Sequence, residues 1–192
     1  MYFKMGYSYA SNPCRLIEHK SVNDFDLWWD DGVSFDNPPI GPITAKLRPY
    51  QEAHPDMSPD LPVMYDVSVL ILRDDLVAAL KEVGVNNFDE YPCEITDPDN
   101  GKVYNNYKAI NFTTMVRAVD MKASEAIVHD NDPRIDVNFD KLVLDENALP
   151  NELMFRLEEN NGALLMHKKV KDYLVEQGFT TLEFYELDKI AF

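Results

Sequence analysis

Two stretches with the same pattern decide the fold: LILRDDLVAALKEVGVNNFDEY at residues 70–91 and LLMHKKVKDYLVEQGFTTLEFY at residues 164–185. Each begins with a short apolar run typical of a buried strand and continues with apolar residues at helical spacing. Gly84 and Gly178 then follow the helical residues, as is common at a helix C-terminus. A constant offset of 94 residues aligns the two stretches. They predict a strand–helix–strand pseudo-repeat, although this pattern is also generic to β-α-β units.

The surrounding sequence predicts further strands and turns, and the fold class is α+β. We expect a mixed or mainly antiparallel sheet with two short helices. The helices are predicted over residues 74–83 and 167–177. The predicted strands are residues 65–72, 88–96, 102–119 (one long or two short), 137–144, 153–158, 163–166 and 182–187, with a turn at 97–101.

The first part of the chain lacks clear periodicity. Seven of the twelve prolines lie in the first sixty residues, and proline fixes φ and removes a backbone donor. We therefore expect no long helix or central strand there. Residues 1–62 are predicted to form an irregular segment with short strands, packed on an α+β body of residues 63–192. Trp28 and Trp29 favour burial of this segment, and a partner-facing aromatic patch is the alternative.

Composition excludes several classes of function. The net charge is −16, which disfavours binding to nucleic acid or to an anionic membrane surface. The N-terminal residues lack the apolar core of a secretory signal, and no apolar run approaches the roughly 20 residues of a membrane-spanning helix. Cys14 and Cys93 could form one disulfide, but unpaired thiols in a reducing compartment are favoured. We expect a cytoplasmic protein and assign neither cysteine a role.

The search for catalytic and metal-binding motifs identifies no site. Asp97-Pro-Asp-Asn-Gly101 has the wrong glycine and glutamate positions for an EF-hand, so it predicts a turn. Residues 129–136 (HDNDPRID) are rich in ligand-type side chains but lack a spacing that would make them converge. We therefore predict no catalytic residues, no cofactor and no metal. A small hydrolase or metal-dependent enzyme that uses the Asp130–Asp136 region is the alternative.

Charge distribution carries more information than any motif. The segment from Glu125 to Asn160 contains ten acidic and three basic residues. Such a stretch is typical of a solvated surface, and it also suits electrostatic steering of a basic protein partner. The predicted partner-binding residues are acidic side chains of this segment together with the two tryptophans. They are Asp130, Asp132, Asp136, Glu158, Glu159, Trp28 and Trp29.

The order and spacing of several motifs resemble a family of bacterial immunity proteins of polymorphic toxin systems. The similarity runs from Tyr65 onward, with a looser likeness in the first sixty residues. The motifs are DDLxxxLxxxG (74–84), DPDxG (97–101), DKLVLDE (140–146), LMFRL (153–157), HxxVxxYLxxxG (167–178), LEF (182–184) and, more loosely, DFDxWWDDG (24–32).

The resemblance implies a cytoplasmic α+β protein that binds and neutralises a cognate toxin. It supplies no catalytic residues to carry over, so a non-enzymatic protein is expected. A non-toxin adaptor or a homo-oligomeric structural protein remains a further alternative, and formation of a homo-oligomer is left open.

Overall fold

The computed structural model describes residues 1–18, 27–49, 58, 60–128 and 137–189. These residues form an α+β fold with two five-stranded sheets, a two-stranded sheet and two helices. The first sheet has the strand order β12-β1-β11-β10-β7, the second has the order β2-β5-β6-β4-β3, and β8 pairs with β9. The elements are β1 (Tyr2–Tyr7), β2 (Ile43–Lys46), β3 (Met64–Asp66), β4 (Leu70–Arg73), α1 (Asp74–Val83), β5 (Phe88–Thr96), β6 (Val103–Phe112), β7 (Met115–Val116), β8 (Glu125–Val128), β9 (Val137–Lys141), β10 (Met154–Leu157), β11 (Leu164–His167), α2 (Lys168–Glu176) and β12 (Leu182–Glu186).

The pseudo-repeat is present in the fold. Strands β4 and β11 begin 94 residues apart, as do helices α1 and α2 and strands β5 and β12. In each unit a third strand lies between the two strands that flank the helix and is antiparallel to both: β6 in the first unit and β1 in the second. The units therefore share a topology, but β6 follows its unit in the sequence whereas β1 precedes its unit by more than 150 residues.

Both helices begin and end where the sequence predicts, within one residue. Asp74 and Asp75 occupy the first turn of α1, where the helix dipole favours negative charge. Gly84 closes α1 with a φ of 104°, and Gly178 follows α2 with a φ of 84°. L side chains rarely adopt this left-handed conformation, so glycine is the favoured residue at both positions. In α2 the His167 side chain accepts a hydrogen bond from the backbone N–H of Lys169.

One central core joins the two units. It contains residues from both helices and both five-stranded sheets, including Leu76, Leu80, Val170 and Leu174 of the helices. A second core covers part of the β2–β6 sheet with residues of the N-terminal segment. A third core packs β10 and β11 against residues of the stretches 116–126 and 137–149. Each five-stranded sheet thus packs against the central core. Each sheet also packs against a second part of the chain, which lies outside the pseudo-repeat.

Two predictions about strands need correction, and a third, which left two options open, is resolved. The predicted strand Tyr65–Leu72 is a hairpin, because the chain reverses after β3 and returns as β4. Of the two options for residues 102–119, two strands form: β6, and the short β7, which leaves the sheet of β6 and pairs in parallel with β10. The expectation of no central strand in the first sixty residues is wrong. Strand β1 contains no proline and lies between β11 and β12.

Candidate functional site

The two tryptophans predicted to bind a partner differ in exposure. Trp28 is 73% exposed, whereas its neighbour Trp29 is 3% exposed. The Trp29 ring packs edge-on against Phe35 and Tyr91, with centroid distances of 5.0 and 5.7 Å. Trp29 therefore stabilises the N-terminal segment against β5, and of this pair Trp28 alone is available for contact with a partner.

The two glutamates predicted to bind a partner also differ in exposure. Glu158 is exposed, but Glu159 is 1% exposed. Glu159 Oε1 accepts a hydrogen bond of 3.1 Å from the backbone N–H of Val119. Its backbone carbonyl accepts another, of 2.9 Å, from Val137. Glu159 thus links the end of β10 to Val119 and Val137 of the third core. The other predicted acids, Asp130, Asp132 and Asp136, lie outside the described residues, as does the region proposed for an alternative hydrolase.

The described part of the acidic segment, defined as residues 125–160, exposes many more acids than bases. Lys141 is its single exposed base among the described residues, since Arg156 is buried. None of the exposed carboxylates forms an ion pair with another described residue. The exposed acids are Glu125, Asp140, Asp145, Glu146 and Glu158.

Arg156 is a structural residue that sequence reasoning passed over. Its guanidinium donates hydrogen bonds to the carbonyl oxygens of Asn161 at 2.8 Å and Trp29 at 3.3 Å. Burial lowers the pKa of Arg156, while Asp30 and Asp66 oppose this shift. The residue connects β10 to the loop that carries Trp28. The sequence does contain a signal for this role, namely a lone arginine inside the apolar run LMFRL. A charged side chain in a buried strand needs specific partners.

The cysteines have environments that suppress thiol chemistry. Both are unpaired and buried. Burial raises the pKa of Cys14 to about 11 and that of Cys93 to about 12. Since the thiolate is the reactive form, neither thiol is activated at neutral pH. Within the described ranges, no three His, Cys, Asp or Glu residues are grouped so as to hold a metal ion. No helix of the described chain has the length and apolar character needed to span a membrane.

Comparison with known proteins supplies the family. A search of curated proteins finds no match. The model of one protein family, described as "Immunity protein family (Imm11)", matches residues 44–189, about three quarters of the chain. Strand β1 and the loop that carries Trp28 precede the matched range. The match agrees with the resemblance seen in the sequence motifs. The chain therefore belongs to the Imm11 immunity protein family, whose role is the neutralisation of a toxin rather than enzymatic catalysis.

Proposed function

We propose that this protein neutralises its cognate toxin by binding a basic surface of that toxin with the acidic segment. The proposal rests on one observation: five exposed carboxylates of this segment have no ion-pair partner among the described residues. Exposed like charges repel one another, and a basic partner would relieve that repulsion. Asp130, Asp132 and Asp136 belong to the same segment of the chain and carry charge of the same sign.

Inhibition of this kind needs no reacting group on the immunity protein. Coverage of a toxin's working surface excludes its substrate, and opposite charges accelerate the encounter that leads to coverage. We expect the complex to form in the cytoplasm. The two buried, unpaired cysteines are in keeping with a reducing compartment.

Association kinetics with the toxin encoded beside the gene for this chain test the proposal. The double variant Asp140→Lys/Glu146→Lys should associate about tenfold more slowly than the native protein at low salt. The difference should shrink as the Debye length falls from about 30 Å at 0.01 M salt to about 8 Å at 0.15 M. Asp172→Lys/Glu176→Lys is the matched control, because it makes the same change in net charge on exposed positions of α2. Its association rate should stay near the native value.

Two results would contradict the proposal. One is an association rate that responds neither to salt nor to the Asp140→Lys/Glu146→Lys change. The other is an equal slowing by both double variants, which would assign the effect to net charge and not to the acidic segment. Reversal of Asp130, Asp132 and Asp136 to lysine extends the test to the part of the segment outside the described residues.

A further inference from the structure

The loop formed by residues 27–42, here called the Trp28 loop, exposes three large apolar side chains. Trp28 is 73% exposed, Val33 59% and Ile40 96%. They account for three of the nine exposed large apolar residues in the described chain and fall within thirteen consecutive positions. Single exposed apolar residues are ordinary on protein surfaces, and three of them in one short loop offer a partner several apolar side chains from the same part of the chain.

The backbone of the Trp28 loop is held at several points. Trp29 anchors it in the core beside β5, and the Trp29 carbonyl accepts the bond from Arg156 of β10. The Val33 carbonyl accepts a hydrogen bond of 2.7 Å from the Asn111 amide of β6. A Cβ atom at Gly32 would lie 2.5 Å from Met115 Cβ, so the chain approaches β7 too closely for a side chain.

This anchoring prepares the loop for binding. Its contacts reach β5 and β6 of one sheet and β7 and β10 of the other. The exposed side chains therefore project from a backbone that is already ordered before a partner arrives. A preorganised surface loses less conformational entropy on association, which strengthens binding without new contacts.

The charge of the loop indicates what kind of partner it fits. Residues 27–42 contain Asp30, Asp31 and Asp36 and no lysine, arginine or histidine. A second copy of the same loop would be repelled. An apolar pocket with a basic rim is complementary to a loop that carries three exposed apolar side chains and three acids.

A cavity next to the loop adds a place for a basic side chain. It is a shallow depression, open to solvent, and is lined in part by Phe35, Asp89 and Tyr91. Asp89 makes no ion pair with any described residue. Elsewhere in the lining, Lys81 Nζ lies 2.7 Å from Glu90 Oε2, so the chain itself already places one basic group there. Aromatic faces and an unpaired carboxylate together suit a lysine or arginine side chain.

We infer that the Trp28 loop is the apolar anchor of the toxin complex, with Trp28 buried in a basic-rimmed pocket of the toxin. The inference rests on the proposed function, since it assigns the short-range contacts of the same complex. The acidic segment governs how fast the partners meet, and the loop governs how long they stay together. Buried aromatic anchors dominate dissociation in this way at many interfaces.

Dissociation kinetics with the neighbouring gene's toxin test the inference. Trp28→Ala/Ile40→Ala should dissociate roughly 30-fold faster or more, with a nearly native association rate. Val103→Ala/Val175→Ala is the control, because it trims exposed apolar side chains far from the loop in sequence and should dissociate at the native rate. Asp89→Asn should speed dissociation severalfold. Thermal unfolding of each variant without toxin should match the native protein, since the trimmed side chains are exposed.

The possible outcomes separate the two proposals. If the native protein binds the toxin and the Trp28→Ala/Ile40→Ala variant dissociates at the native rate, the loop is not the anchor. The proposed role of the acidic segment is unaffected by that result. Failure of the native protein to bind the toxin overturns the proposed function itself. Sedimentation of the protein without toxin tests whether a second copy of this chain binds the loop instead. Self-association of the native protein that Trp28→Ala abolishes would also overturn the inference.

Discussion

Arg15 Nη1 lies 2.8 Å from Asp97 Oδ2, and this buried ion pair fastens the N-terminal segment to the turn between β5 and β6. The same guanidinium contacts Asp99 Oδ2 at 2.8 Å and donates a hydrogen bond of 2.7 Å to the carbonyl oxygen of Arg48. One side chain thus joins three parts of the chain that are distant in sequence.

Loss of the Arg15 guanidinium should be strongly destabilising. Arg15→Met leaves Asp97 buried without its cation, and removal of one partner of a buried pair typically costs about 3–5 kcal/mol. Urea unfolding measures the change. Arg73→Met is the control, because Arg73 pairs with Asp75 at an exposed position and such pairs contribute about 1 kcal/mol or less. Equal losses for both variants would contradict the prediction.

Asp97 should make the stability depend on pH in the acid range. Burial alone would raise the pKa of Asp97, but hydrogen bonds from Arg15 and from the backbone of Asp99 outweigh it and hold the pKa below 3.8. A depressed pKa means that the stabilisation is fully present above 3.8 and is lost as pH falls through the lower native value.

The Asp97→Asn variant isolates this contribution. Urea unfolding between about pH 5 and pH 2 should show a smaller loss of stability for the variant than for the native protein. Glu176→Gln, which removes an exposed carboxylate of α2, is the control for the loss of one carboxylate. A slope that is unaffected by Asp97→Asn would show that other carboxylates govern acid unfolding.

The adjacent tryptophans should have opposite roles in stability. Trp29→Ala removes a buried ring and should cost about 3–5 kcal/mol. Trp28→Ala removes an exposed ring and should change the unfolding free energy by no more than about 0.5 kcal/mol. Chemical denaturation of the two variants gives both values. A large loss for Trp28→Ala would mean that its ring supports the fold, against the anchor role inferred above.

The two helix-ending glycines should respond alike to substitution. Gly84 and Gly178 both have positive φ, and an added Cβ would meet Leu153 Cδ1 at 3.8 Å in the first case and no atom within 4 Å in the second. The cost of Gly84→Ala and Gly178→Ala is therefore conformational, about 1–2 kcal/mol each. Asparagine tolerates this conformation better, so Gly84→Asn and Gly178→Asn should cost less than the alanine variants. Thermal unfolding ranks them, and an equal cost for Asn and Ala would refute the conformational explanation.

The cysteines should be slow to react in the native state. Their raised pKa values and burial predict that a thiol reagent at pH 7.5 labels Cys14 and Cys93 only as fast as the protein opens. Addition of urea to the unfolding midpoint should accelerate labelling sharply. Rapid labelling of either thiol under native conditions would contradict its buried placement.

Local patterns in the sequence predict the fold where structure depends on neighbouring residues. The limits of α1 and β5 follow from helical periodicity, the acidic first turn and Gly84. The hairpin of β10 and β11 was predicted for the same reason: its partners are separated by a short polar turn. The motif order also predicted the family, because order and spacing survive where single motifs are weak.

Non-local pairing explains most of what the sequence could not predict. Strand β1 pairs with strands more than 150 residues later, and no local signal records such a partner. The reversal between β3 and β4 occurs inside a mostly apolar run that reads as one strand. The neighbours Trp28 and Trp29, like Glu158 and Glu159, differ in burial because one member of each pair contacts a residue distant in sequence: Trp29 packs on Tyr91 and Glu159 accepts from Val119.

The position of β1 between β11 and β12 has a consequence for synthesis of the protein. The first unit comes from one continuous stretch, residues 70–112, so its strands can pair while the ribosome is still adding later residues. Strand β1 emerges before all of them and then waits for about 160 more residues, which takes roughly 8–30 s at about 5–20 residues per second. A product that stops before residue 182 leaves one edge of β1 open to water. Such a product also lacks β12, the strand that completes this edge of the sheet.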